Sequence, residues 1–300
     1  MPSYRSKLCR MVTKYLVAKK FNAHATIDDM RMEAENLVKW ADVTPKTQLE
    51  KVTANKRPAE WVRAHGARED RAVLYLHGGG YNICSPNTHR ELAAYISMAS
   101  NAKVLLLDYR LAPEHPFPGA LEDAAATYRW LLDLGFAGRT LALAGDSAGG
   151  GLAIATATAL RDAGEALPSS IACLSPWTDL TMSGRSIRTH AEIDPMLNLE
   201  LMNLMAANYI DDRDAGHPLI SPLFADMQRI PPLLIQVGSD EMLLDDASRM
   251  AAKAERAGVA VTLKVYDRMW HVWHLFAKLM PEAKQAIGEL GGFIRKHFEN

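Results

Sequence analysis

Three residues of this chain stand where apolar runs end and carry the groups that nucleophilic catalysis needs. Ser147 lies in LALAGDSAGGGLAIA, residues 141–155, where an apolar run gives way to glycine and alanine. Two readings compete for it. As a helix N-cap its oxygen would take an unpaired first-turn amide. As a nucleophile it would stand on a tight turn, and GDSAG has the form G-x-S-x-G between a predicted strand and a predicted helix, where flanking glycines let the hydroxyl clear the sheet end. A reactive serine also needs a base and a group to orient that base, in the chain order serine, acid, histidine. Beyond the apolar run PLLIQVG comes SDEMLLDD, and beyond VTLKVYD comes RMWHVWH. Asp240 and His271 are therefore the best-placed partners. HGGGY, residues 77–81, follows AVLYL; its glycines can bring bare amides to an oxygen that becomes negative, an effect worth roughly 3–4 kcal/mol per donor. The chemistry implied is acyl transfer through serine.

Other polar residues have simpler readings. Asp194, in DPML, precedes a proline and suits a turn or helix entry. Asp245 and Asp246 fall in the first turn of a predicted helix, whose positive end favours carboxylates. His274 competes with His271 as base, but the pair lacks a third ligand for a metal. Tyr109, Arg110 and Glu114 sit among Pro113, Pro116 and Pro118, which suggests a rigid loop braced by charged hydrogen bonds. His77 reads as an orienting residue of the glycine loop, and Asp146 as a partner of nearby loop amides. Trp177, Trp270, Trp273, Met196 and Leu197 fit either an acyl pocket or the core. No phosphate-binding or dinucleotide fingerprint is present, and no cofactor or metal is called for.

The elements that must position these groups alternate. TQLEKVTA and AEWVRAHG read as an antiparallel pair of strands. From AVLYL onward, apolar strands (KVLLLDY, TLALAG, IACLS, PLLIQVG, VTLKVYD) are separated by helices, one of them opened by Thr88 with Glu91 three residues on. This pattern predicts a mostly parallel central sheet with helices on both faces. Two stretches fall outside it. Residues 1–45 read as helical, and residues 181–225 form a long connection containing the Met- and Leu-rich LNLELMNLMAANYI. Together they are expected to form a helical cap over a core of residues 46–180 and 226–300.

Composition narrows the class. The 300 residues are 48% hydrophobic and 23% charged with a net charge of −1, so nothing points to nucleic acid. No stretch approaches the ~20 apolar residues of a membrane span. The opening MPSYRSKLCRMVTKYLVAKKF mixes basic and apolar residues at helical spacing without the marks of a signal peptide; such a helix could also rest on a membrane surface. Three cysteines without metal-ligand spacing favour a reducing, cytoplasmic setting.

HGGGY, DYRLAPEHPFPGALEDA, GDSAGG, DPML, GSDEMLLDD and HVW, in this order and across essentially the whole chain, resemble the hormone-sensitive lipase family of α/β-hydrolases in its bacterial esterase branch. The resemblance implies a capped α/β-hydrolase fold and hydrolysis of short- to medium-chain acyl esters. It makes Ser147 the nucleophile, Asp240 the acid and His271 the base, with the amides of Gly78, Gly79 and Ala148 as the oxyanion hole. The expected partner is a small-molecule ester, and a homodimer is the one protein assembly entertained. Amidase or acyltransferase chemistry would use the same acyl-enzyme. A ligand receptor on this scaffold, as in the gibberellin receptors that resemble the family but have lost the catalytic histidine, is disfavoured by the intact serine, acid and histidine.

Overall fold

The computed structural model describes residues 2–39 and 47–298. Among them eight strands form one sheet: β1 (Thr47–Ala54), β2 (Arg57–Ala64), β3 (Arg68–Leu76), β4 (Ala102–Leu107), β5 (Leu141–Asp146), β6 (Ser170–Leu174), β7 (Leu233–Gly238) and β8 (Val261–Tyr266). Their order is β1-β2-β4-β3-β5-β6-β7-β8. The β1–β2 and β2–β4 pairings are antiparallel and the rest parallel. Every residue of β5, β6 and β7 is buried, which is why these strands read as unbroken apolar runs. The edge strand β1 is largely exposed and carries Gln48, Glu50 and Lys51, charges and polar groups that blunt a free edge.

Helices α3 (Pro86–Ser100) and α9 (Pro281–His297) lie together on one face, and α4 (Gly119–Asp133), α5 (Ala148–Asp162) and α8 (Leu244–Arg256) belong to the other. The helix expected to open at Thr88 begins three residues earlier. Ser85 is its N-cap, and Thr88 is the third helical residue, whose hydroxyl accepts from Ser85 N–H. Pro86 at the first position fits because no donor is needed there. In α5 small residues allow close packing. A Cβ at Gly149 would collide with the Leu76 carbonyl, so this glycine lets the helix start directly beside β3.

The N-terminal stretch is helical as expected, but in pieces: α1 (Tyr4–Val12) runs into a wider π turn (Thr13–Val17), and α2 (Ile27–Val38) follows a bend. The β6–β7 connection holds a single-turn α6 (Ser186–Thr189) and α7 (Leu199–Ile210). The boundary expected at residues 45–46 lies outside the described residues.

Both stretches meet above the C-terminal ends of the parallel strands. Arg31 of α2 forms a two-pronged pair with Glu114 (2.7 Å each) and donates to the carbonyls of Asn82 and Ala112. That pair holds the Glu114 carboxyl down at about 2. Arg110 is likewise paired with Asp123 (3.0 Å), so the proline-rich loop is braced by ionic hydrogen bonds, as its composition suggested. Tyr209 at the end of α7 stacks on Tyr81 of the glycine loop with ring centroids 3.7 Å apart.

Candidate active site

The turn after β5 decides between the two readings of Ser147. Its backbone takes φ 52° and ψ −124°, and its side chain caps nothing in α5. A positive φ on a residue with a Cβ is strained and persists because the surroundings fix it. Ser147 N–H donates to Leu174 O, and Ser147 O accepts from Trp177 N–H, each at 2.9 Å. The hydroxyl lies 2.9 Å from His271 Nε2.

His271 follows β8 and is buried. Its Nδ1 lies 3.1 Å from Glu241 Oε2. A carboxylate only accepts, so Nδ1 carries the proton and Nε2 is left to accept from the Ser147 hydroxyl. The other oxygen of Glu241 accepts from Ser175 Oγ (2.7 Å) and Gly238 N–H (2.6 Å). Burial pushes the His271 pKa down, but the Glu241 hydrogen bond and charge, with Asp194 and Asp146 nearby, outweigh it and leave the imidazole above its ordinary 6.5.

The acid expected at residue 240 does not meet His271; its neighbour Glu241 does. Asp240 faces away from His271. Its carboxylate meets Arg10 of α1 at 2.6 Å and accepts from Ser239 Oγ at 3.0 Å. Asp240 N–H is anchored to Met269 O (3.1 Å), which turns this side chain outward and the next one inward. Arg10 also donates to the carbonyls of Arg268 and Ile193, so one guanidinium ties together the acid loop, the histidine loop and the β6–β7 connection. Asp194 is a turn residue, as its setting suggested: its carboxylate accepts from the amides of Met196 and Leu197. It also accepts from Met242 N–H at 3.0 Å, directly beside Glu241. Asp245 and Asp246 fall in the first turn of α8, as expected, and their carboxylates also accept from Arg185 and Ser186 N–H, and from Thr178 and Asp179 N–H, respectively.

The glycine loop needs a second correction. Gly78 N–H is already committed to Asp146 Oδ1 (3.0 Å) and cannot serve a reacting oxygen. Asp146 also accepts from Tyr75 Oη (2.8 Å) and lies 3.3 Å from His89 Nε2. Burial opposes its ionisation, but these partners hold its pKa below the usual carboxylate value. Tyr109 Oη donates to His77 O (2.6 Å), fixing the loop from the other side. Among the described residues the amides of Gly79 and Gly80 have no acceptor, and both glycines line the cavity with Ser147. Gly80 has φ 60°, and a Cβ there would strike Met205 Sδ of α7. The Ala148 amide is the first of helix α5, where no intrahelical partner exists.

The cavity above Ser147 has a volume of about 210 Å³. Trp177, Met196 and Leu197 line it, together with Met202, Met205 and the N-terminal Val17 and Phe21. Trp270 does not. It is wholly buried in the core on the α3–α9 face of the sheet, against Phe276, while the next side chain, His271, turns to Ser147. Trp273 and His274 are also buried, His274 bonded to Gln236 at 3.1 Å with burial pushing its pKa down to about 3. His274 makes its bond to Gln236 and does not line the cavity. Sequence reasoning missed Glu241 and Gly80, although the DE pair after β7 and the third glycine of HGGG were the signals available.

Three comparisons bear on this arrangement. The family model described as alpha/beta hydrolase fold matches residues 73–275. An acetyl-hydrolase of Streptomyces hygroscopicus is 47% identical over 81% of each chain, and an esterase of Acinetobacter venetianus is 35% identical over 88% of this chain and 87% of its own. Among solved structures, an esterase from the bacterial hormone-sensitive lipase family superposes with a TM-score of 0.95 at 45% identity, covering 99% of both chains.

Proposed function

Since the chain belongs to the hormone-sensitive-lipase-like α/β-hydrolases and is an ester-hydrolysing enzyme, we propose that Ser147, His271 and Glu241 are its catalytic triad and that Gly79, Gly80 and Ala148 supply the oxyanion donors. The observation that carries this reading is the unbroken line of hydrogen bonds from Ser147 Oγ through His271 to Glu241 at the floor of the cavity. His271 Nε2 takes the proton as Ser147 Oγ attacks the ester carbonyl carbon. Glu241 holds the imidazole tautomer and stabilises the imidazolium, and the free amides bind the oxygen that becomes negative. The tetrahedral species collapses, His271 returns the proton to the leaving alcohol, and water attacks the acyl-serine by the same route to release the acid.

The described parts of the N-terminal stretch, residues 2–39, and residues 181–225 act as the cap over this centre. A cavity of about 210 Å³ is smaller than the ~300–1,000 Å³ of pockets that take drug-sized ligands, which supports short- to medium-chain acyl groups. Each methylene gains at most ~0.8 kcal/mol while room remains, so kcat/KM on p-nitrophenyl esters should peak at short to medium acyl chains and fall beyond. The test is a panel of such esters and the matching amides with the wild type and Ser147→Ala, with mass spectrometry of the trapped acyl-enzyme. Acylation elsewhere than Ser147, or turnover surviving its loss, would overturn the assignment.

A further inference from the structure

Helix α1 is built inside out. The face it turns to the protein carries Ser6, Cys9 and Thr13, all buried. The face it turns to solvent carries Tyr4, Leu8, Met11 and Tyr15, spaced at one helical stripe, with Tyr4 82%, Met11 52% and Tyr15 56% exposed. Large apolar groups outward and small ones inward is the reverse of an ordinary surface helix. Exposed Lys7 and Lys14 flank the stripe on one side and exposed Arg5 on the other.

The charge around it is one-sided. The first acidic residue of the chain is Asp28; before it stand Arg5, Lys7, Arg10, Lys14, Lys19 and Lys20, so this stretch holds +6 while the remainder holds −7. Arg10 is paired with Asp240 and Lys20 with Glu33. Arg5, Lys7, Lys14 and Lys19 make no ion pair among the described residues.

We propose that α1 docks this enzyme on an anionic lipid surface. An apolar stripe with tyrosines and flanking lysines matches the shallow interfacial seat of a helix lying in the headgroup region. The charges argue against a second copy as occupant, since two such helices would face each other with like charges. The surface is also well placed, because Val17 and Phe21, just beyond the stripe, line the cavity. The helix does not span the bilayer, and no helix among the described residues is long and apolar enough to do so. Docking is a property of the surface and is read without turnover, so it stands or falls apart from the triad.

The experiment is cosedimentation of the full chain with vesicles of phosphatidylcholine alone or mixed with phosphatidylglycerol, at low and high salt. The wild type should partition onto the anionic vesicles and be released by salt. Each cation near such a surface is worth about fivefold in partitioning, so Lys7→Gln/Lys14→Gln should lower it on the order of 25-fold. Tyr4→Ser/Met11→Ser should lower it at every salt concentration. Both variants should keep wild-type kcat/KM on a soluble p-nitrophenyl ester, which shows that they are folded. Equal partition onto neutral and anionic vesicles, or binding indifferent to the lysines, overturns the proposal. So does a wild-type dimer in light scattering that becomes monomeric in Tyr4→Ser/Met11→Ser, because the face would then belong to a second copy.

Discussion

The turns after β5 and after β7 each bring one side chain, Ser147 and Glu241, to His271 at the same sheet edge, yet they are held in different ways. After β5 the turn is fixed through its backbone: glycines at 145 and 149 leave no room for a Cβ beside neighbouring backbone, Ser147 N–H and O are bonded to Leu174 and Trp177, and Ser147 has one direction to point. After β7 two acids stand side by side, and which of them faces His271 depends on distant partners. Asp240 is drawn outward by Arg10, and Glu241 is received by Ser175 Oγ and Gly238 N–H. A turn that demands glycine at fixed offsets can be read from a motif, whereas one whose side chains are sorted by distant polar partners cannot.

The comparison breaks most sharply at the centre. Ser147→Ala or His271→Ala should each lower kcat on the order of 10⁴- to 10⁶-fold, and the double variant should cost little more, because the residues act as a unit. Steady-state rates of the three proteins check this; additive losses would mean that the serine and histidine work separately. Next comes the adjacent pair of acids. Glu241→Gln should cost about 10²–10⁴-fold through loss of imidazole orientation, while Asp240→Asn should cost less than about tenfold. The reverse order would restore Asp240 as the acid and undo the distinction between the two turns.

A pH profile sharpens the same contrast. His271 works as base only when neutral, so kcat/KM should rise with pH on a limb above 6.5, the side to which Glu241 shifts it. Removing that charge in Glu241→Gln leaves burial to dominate and should move the limb to lower pH; Asp240→Asn should leave it in place. An unmoved limb in Glu241→Gln would show that another group sets it. The raised pKa also has a sign for stability: protonated His271 supports the fold fully below pH 6.5, and that support is lost as pH rises through its folded value. The smallest effect belongs to the outer clasp. Arg10 and Asp240 are partly exposed, so Arg10→Ala should cost only about 1 kcal/mol in denaturant unfolding, with activity falling a few-fold as the acid loop loosens. A loss as large as that of Glu241→Gln would place Arg10 nearer the chemistry than its position allows.

Much of this was legible from residues alone. The buried runs of β3 through β7 identified a parallel sheet, and GDSAG and HGGG marked where its edge carries function. What escaped was direction. Aspartate 240 and glutamate 241 are equivalent to any reading of a strand end until Asp240 N–H is seen to bond Met269 O. In HGGG, Gly78 looked as available as its neighbours, because only the folded chain brings Asp146 to its amide. Trp270 and His271 are adjacent in sequence, and a one-residue step sends Trp270 into the core and His271 into the cavity with Ser147. The β6–β7 connection carried little pattern because its turns are held by single buried carboxylates, Asp179 and Asp194 among them, rather than by repeating elements.

The clasp at Arg10 also bears on the order in which the molecule is made. Arg10 reaches Asp240 across 230 residues, and Ser3 meets Glu282 across 279. Helix α1 is therefore synthesised long before residues 240, 268 and 282, which hold several of its partners, and its inward face waits for them. Such long-range closure is slow. The β5 turn can form as soon as its neighbouring strands exist, but the loop after β7 is fastened only when α1 meets it through Arg10 and Asp240, so Ser147 is in place long before the residues around it are complete.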